Sequence, residues 1–206
     1  MTQEHQPIEG IDPEQQIIEQ SGPFGVLERR ILYEGFNRQL YVDRVRGPDG
    51  TLGEFSGVNF LRQAVLIFPV DNERNIYLTD EFTYGSKMYL TEAAGGSIDP
   101  DESAEAAAKR EVKEELGIEV DLVRYLTTVR TITSVTNNVT HLFLARVQSV
   151  GEAKPESGEV IRLKKVPFDE AYQMTLDGRI STASVIVGID RIRDLYLATQ
   201  GNLESN

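Results

Sequence analysis

The sequence predicts a mixed α/β domain, and three observations carry that prediction. Segments at residues 35–46, 51–60, 120–129 and 140–147 have the period-two or apolar character of strands. A single run of helix formers, Ser103 to Leu116, lies between them, and further helical patterns follow at 167–177 and 184–199. Strands before, between and after helices belong to one layered α/β core. The 206 residues suffice for one main domain with a small appendage.

Residues 1–25 are rich in Gln, Glu and Pro and lack both a basic start and an apolar run, so they read as a polar leader and not as a secretory signal. Residues 26–60 read as a small N-terminal antiparallel β-subdomain. There, 35–46 alternates apolar with polar side chains, Pro48-Asp49-Gly50 has the chemistry of a tight turn, and 51–60 returns as a second strand. Residues 61–200 read as the main domain and 201–206 as a frayed tail. The apolar run 64–70 ends at the polar turn Asp71 to Asn75 and resumes at 76–79, which predicts a central hairpin. Asp99-Pro100-Asp101-Glu102-Ser103 supplies a proline, capping side chains and acidic groups suited to a helix start, and Gly117 sits where a left-handed C-terminal residue is wanted. A polar loop at 151–158 and a strand-like segment at 160–166 complete the chain.

Charge narrows the function. With 21 Lys and Arg against 33 Asp and Glu the net charge is −12, which repels nucleic-acid phosphates and anionic lipid. Neither nucleic acid nor membrane is therefore an expected partner. No apolar stretch approaches the roughly 18–20 residues needed to span a bilayer. The absence of Cys removes disulfides, thiolate nucleophiles and Cys-based metal centres, and a cytoplasmic location is expected. His5 and His141 are the only imidazoles, and His141, inside the apolar stretch 139–145, reads as a structural residue. Carboxylates are thus left as the main groups for acid–base and metal chemistry.

They concentrate on one helix. Glu111 and Glu115 are four residues apart and Glu114 is three from Glu111, so all three project from neighbouring positions, with Glu102 at the helix entrance. An Ala/Glu/Lys-rich helix is ordinarily a solvated surface helix. Like charges at this spacing nevertheless repel, and the remedies are solvent, a basic partner such as Arg110, or a divalent cation. Hard oxygen ligands favour Mg²⁺ or Mn²⁺, which also suit the oxygens of a diphosphate.

The spacing is more specific than the composition. Gly96, Glu102, Arg110, Glu111, Val112, Glu114, Glu115, Gly117 and Ile118 match Gly-x5-Glu-x7-Arg-Glu-U-x-Glu-Glu-x-Gly-U, with U aliphatic, at every specified position. This segment resembles the Nudix box. The resemblance implies the Nudix fold, a mixed β-sheet sandwiched between α-helices, over residues 61–200. By position it implies Glu111 and Glu115 as metal ligands, with Glu114 and Gly95 beside them, and Arg110 as the residue that orients the carboxylates. Gly96, Glu102 and Gly117 take structural roles.

Flanking segments are similar to the ADP-ribose and nucleotide-sugar pyrophosphatase branch, so that about residues 26–197 are covered. They are Tyr33-Glu34-Gly35, Asp43 to Arg46, Pro48 to Gly50, Glu81-Phe82-Thr83-Tyr84, Glu92-Ala93-Ala94-Gly95-Gly96, Val166 to Ala171, and the helix after Gly178-Arg179-Ile180. By the same resemblance Glu92, Arg62 and Phe82 are expected to bind substrate. Phe82, Tyr84 and Tyr89 can stack on a base or serve as core residues. The acidic stretch 152–159 corresponds to a loop that supplies a catalytic glutamate in that branch, which makes Glu159 and Glu156 the candidates for the water-activating base, with Glu114 and Arg110 completing the catalytic group. Two departures stand where base or sugar is sensed. Thr83 replaces the branch's arginine, and Thr133-Ser134 occupies the place of a proline found in many ADP-ribose enzymes. The implied reaction is metal-dependent hydrolysis of ADP-ribose or a related nucleotide sugar to a nucleoside monophosphate and a sugar phosphate. Another nucleoside diphosphate derivative, such as GDP-mannose or a dinucleotide, and a non-catalytic regulatory domain are the alternatives. A homodimer formed through the β-subdomain is also expected.

Overall fold

A computed structural model describes residues 16–154 and 160–198, so the start of the leader and the C-terminal tail lie outside the described residues. Contacts divide the chain into two units. One comprises Met1–Leu61 with Ile132–Asn138, and the other Arg62–Thr131 with Val139–Asn206.

The first unit is a four-stranded antiparallel meander of β1 (Glu19–Ser21), β2 (Phe24–Glu34), β3 (Arg38–Arg46) and β4 (Leu52–Phe60). The segment read as a polar leader therefore ends in structure, because β1 and the first residues of β2 fall within residues 1–25. Val26, Leu27 and Val45 are buried. Asp43, only 6% exposed, is neutralised by Arg29, whose Nε and Nη2 donate to its two oxygens at 2.7 Å each. The expected turn forms between β3 and β4, closed by Gly47 N–H to the Thr51 carbonyl at 2.7 Å. Residues 132–138, placed in the main domain on chain order, contact β4 instead. Val58 N–H donates to the Val135 carbonyl at 2.9 Å and Phe60 N–H to Asn137 Oδ1 at 2.6 Å, which satisfies donors that an edge strand leaves bare.

The second unit holds β5 (Ala64–Val70), β6 (Asn75–Thr83), β7 (Met88–Glu92), β8 (Ala94–Ser97), α1 (Ala104–Leu116), β9 (Ile118–Val129), β10 (Thr140–Val150), β11 (Ile161–Pro167), α2 (Phe168–Leu176) and α3 (Ala183–Ala198). Its sheet runs β11-β6-β5-β10-β9, with β7 on β6 and β8 on β5. β5 and β10 are parallel and the other pairings antiparallel, so the sheet is mixed.

β5 explains its own unbroken apolar run, because it is covered on both faces. Val65 and Ile67 pack with Ala107, Ala108, Val112 and Leu116 of α1, while Phe68 and Val70 pack with residues of α2 and α3 such as Ala171, Val185 and Ile189. The expected hairpin from β5 to β6 exists only at its root, Val70 opposite Ile76. Beyond it β5 pairs with β8 and β6 with β7, two short strands that the sequence did not announce. α1 starts where Ser103 Oγ accepts from Ala106 N–H at 3.1 Å, and it ends at Gly117 in the left-handed region, φ 67°. No described helix is long and apolar enough to cross a membrane.

Candidate active site

The buried stripe of α1 fixes where its carboxylates go. With Ala107, Ala108, Val112 and Leu116 against the sheet, the flanking positions 111 and 115 lie beside β8, and 114 follows next to 111 on the helix surface. Glu115 is not on a solvated face, as the composition of the helix suggests, but buried at 8% exposure, where its Oε2 accepts the Gly95 N–H at 3.2 Å. Glu111 lies directly over Gly96, and a β-carbon at that glycine would overlap the carboxylate.

Arg110 gathers the remaining charges. Its Nε and Nη2 grip the two oxygens of Glu102, both at 3.0 Å, and Nη2 also donates to the Ser97 carbonyl at 3.1 Å. Nη1 donates to Glu111 Oε1 at 2.8 Å and to Glu114 Oε2 at 3.1 Å. One guanidinium thus ties the loop before α1, strand β8 and the helix face together. The Glu102 hydrogen bonds, with the charge of Glu111, raise the pKa of Arg110 further despite partial burial. In return Arg110 holds the Glu102 carboxyl below its ordinary range.

Gly117 does more than end the helix. A β-carbon there would meet the Gly151 carbonyl oxygen at 2.6 Å and the backbone of Glu152 and Ala153 at 2.7 and 2.8 Å. Gly151 N–H donates to the Gly117 carbonyl at 2.8 Å and Lys154 N–H to the Glu114 carbonyl at 2.7 Å. The start of the acidic stretch is therefore fastened to the C-terminal end of α1, and Phe82 N–H reaches the Val160 carbonyl at 3.4 Å on its far side. Glu156 and Glu159 themselves lie outside the described residues.

The other expected residues divide. Phe82 and Tyr89 meet edge to face at 5.4 Å and are exposed, as is Tyr84, so these aromatics are not core residues. Arg62 is drawn to the loop before α1, where Nη1 donates to Asp99 Oδ1 at 2.7 Å. Glu92 accepts a hydrogen bond from Thr182, the residue before α3. Burial raises its pKa, the Thr182 bond opposes that rise and the nearby Glu81 charge adds to it. His141 bonds Thr128 through Nδ1 at 3.0 Å and Gln63 through Nε2 at 2.7 Å, in keeping with a structural role. Thr182 and the Ser97 carbonyl have no signal in the sequence, since each meets its partner only through the fold.

The donor set suits a hard divalent cation, since three carboxylates bond one guanidinium and a fourth, Glu115, lies on the same helix beside Gly95. Among the described residues no three His, Asp or Glu side chains are arranged to share an ion, because Arg110 holds Glu102, Glu111 and Glu114 while Glu115 is turned to Gly95.

A family model for the NUDIX domain matches residues 60–186. The chain is 24% identical to a methanol dehydrogenase activator of Bacillus methanolicus over 164 residues, 79% of this chain and 88% of the relative. The same identity and coverage hold for an ADP-ribose pyrophosphatase of Bacillus subtilis. A GDP-mannose pyrophosphatase of Klebsiella pneumoniae is 31% identical over 120 residues, 57% of this chain and 58% of that one. A solved structure of an ADP compounds hydrolase superimposes with a TM-score of 0.79 at 18% identity, covering 89% of this chain and all of the other, which establishes the shared fold. A box complete at every specified position, set on this fold and within a family match spanning more than half of the sequence, leads to one conclusion: the chain belongs to the Nudix family and is a Nudix hydrolase.

Proposed function

We propose that this hydrolase cleaves the diphosphate bond of ADP-ribose or a related nucleotide sugar, giving a nucleoside monophosphate and a sugar phosphate. The observation that carries the proposal is the joining of Glu102, Glu111 and Glu114 through one guanidinium, with Glu115 buried against Gly95 beside them. Such a cluster suits a divalent cation, which would in turn neutralise the negative charge of a diphosphate substrate. The names of the Bacillus subtilis and Klebsiella pneumoniae relatives, an ADP-ribose pyrophosphatase and a GDP-mannose pyrophosphatase, support a nucleotide sugar as that substrate. The identity to the second relative favours GDP-mannose as the alternative.

Glu111 and Glu115, with Glu114 and Gly95 beside them, would hold Mg²⁺ or Mn²⁺, which when bound neutralises diphosphate charge and polarises the attacking water. Arg110 aims the carboxylates and Glu102 aims Arg110. Glu159 or Glu156 accepts the water's proton as its oxygen bonds to one phosphorus. The bridging P–O bond breaks and the second phosphate leaves with the bridging oxygen. Residues 61–200 act as the hydrolase domain and 26–60 as a β-subdomain that pairs two copies into a homodimer; exposed Ile31, Leu32 and Tyr33 of β2, and Phe36 just after it, offer the apolar contact. The Cys-free composition suits a reducing cytoplasm.

Incubating the protein with ADP-ribose, GDP-mannose, other nucleotide sugars and dinucleotides, in Mg²⁺, in Mn²⁺ and in chelator, tests the proposal. A nucleoside monophosphate and a sugar phosphate released only with metal are expected. Tight binding without turnover on the whole panel would replace the enzyme by a sensor.

A further inference from the structure

Glu92 is held from a distance. Its carboxylate accepts the hydroxyl of Thr182, 90 residues later in the chain, and Thr182 is at the same time built into the start of α3, since its carbonyl accepts the N–H groups of Val185 and Ile186 at 3.1 and 3.0 Å. The hydroxyl is therefore presented by the anchored end of a 16-residue helix and not by a free loop. Glu92 closes β7, and three residues later Gly95 donates to the buried Glu115. What fixes Glu92 is close in the chain to what fixes the box carboxylates.

The surroundings of Glu92 indicate what it receives. The register sets Thr79 directly opposite it on β6, and directly opposed residues share a sheet face with β-carbons about 5 Å apart. Alternation puts Glu81 on that face too, and its charge is felt at Glu92. Tyr77, the next residue of β6 on this face, packs into the core cluster of α1, so the two glutamates lie on the side of the sheet that α1 covers. Thr79 is fully buried and its hydroxyl oxygen has no hydrogen-bond partner among the described residues. Thr83, also on this face and standing in place of an arginine, has a buried hydroxyl oxygen in the same condition. The two carboxylates, beside the proposed diphosphate site, form a surface of hydrogen-bond acceptors, with the buried Thr79 and Thr83 hydroxyls beneath it. It repels phosphate and accepts from neutral hydroxyls. A vicinal diol brings two hydroxyl donors to such acceptors, and a sugar offers such diols.

We infer that Glu92, fixed by Thr182 and assisted by Glu81, receives the hydroxyl groups of the substrate's sugar, a role that rests on nucleotide-sugar hydrolysis being the reaction. Thr182 is then a positioning residue for sugar recognition: it occupies one side of the Glu92 carboxylate and leaves the other for the ligand.

Steady-state kinetics on wild type, Thr182→Val, Thr182→Ser and Glu81→Gln test this with two substrates cleaved at the same bond. One is the nucleotide sugar that the wild type prefers; the other is the ethyl ester of the same nucleoside diphosphate, which has no terminal sugar. Thr182→Val is expected to raise KM for the nucleotide sugar about tenfold with kcat within twofold, and to leave both constants for the ethyl ester unchanged. Thr182→Ser, which keeps the hydroxyl, should behave as wild type, and Glu81→Gln should raise KM for the nucleotide sugar alone. Thermal melts establish that each variant is folded. If Thr182→Val fails to fold, the Glu81→Gln pair of measurements decides. Equal effects on both substrates, or none on either, would overturn the inference while leaving the hydrolase intact. If the variants instead change metal affinity and not sugar discrimination, Glu81 and Glu92 bind a cation and the inference fails. A wild type inactive on every nucleotide sugar overturns the functional proposal and this inference with it.

Discussion

The carboxylate of Glu111 rests against the α-carbon of Gly96, so closely that even a methyl group at residue 96 would overlap it. Strand β8 and helix α1 thus meet at a point where the smallest residue faces a proposed metal ligand. Gly96→Ala forces the flexible end of Glu111 aside and leaves the backbone in place. Activity is expected to fall at least tenfold while the melting temperature changes by less than about 3 °C, roughly 1 kcal/mol for a chain of this size. Unchanged kcat/KM would show that the position of Glu111 does not matter to the reaction.

Gly117→Ala should show the opposite balance. The left-handed backbone costs an alanine about 1–2 kcal/mol, and the added carbon collides with the Gly151 carbonyl and not with a movable side chain. A fall in melting temperature of at least about 3 °C is expected. A variant as stable as wild type would show that the 151–154 backbone can withdraw from the helix end at no cost.

Glu115→Gln keeps an acceptor for the Gly95 N–H and deletes the charge. Turnover should drop by more than tenfold, which is about 1.4 kcal/mol, with near-native stability. Retention of more than a tenth of the wild-type rate would remove Glu115 from the metal ligands.

The water-activating base can be separated from the ligands by two single changes. Glu159→Gln is expected to lower kcat with metal affinity nearly unchanged, whereas loss of a ligand alters both. Glu156→Gln is the parallel test. Normal turnover in both would move the base to Glu111, Glu114 or Glu115.

Acid stability should depend on Asp71. Burial works against its charged form, but Lys165 and Asn75 more than compensate and lower its pKa from 3.8 to about 2. A carboxyl whose folded value is depressed stabilises the fold above its unfolded value and loses that contribution as pH falls toward the folded one. Wild-type melting temperature should therefore decline between about pH 4 and 2 more steeply than that of Asp71→Asn. Parallel curves would show that the Asp71 turn contributes nothing to acid stability.

Light scattering at micromolar concentration should give twice the chain mass. Replacing Leu32 and Tyr33 of β2 by Lys should give a monomer. A strictly monomeric wild type would remove the dimer from the proposal.

The sequence by itself determined the helix, its caps and the identity of the box, because each depends on spacing within a few residues. Ser103, Glu111, Glu115 and Gly117 hold the positions that a 13-residue helix imposes, whatever surrounds it. β5 was equally legible, since a strand covered on both faces must be apolar throughout. Tertiary structure decided the rest, because partners far apart in the chain leave no local pattern. The pairing of β8 with β5 splays the expected hairpin, residues 132–138 join β4, and β1 grows out of a segment that looks like a leader. The burial of Glu115 and the reach of Thr182 to Glu92 are of the same kind. Helical periodicity can show which residues share a face, but only the packing of α1 on β8 and the placing of α3 beside β7 determine what that face meets.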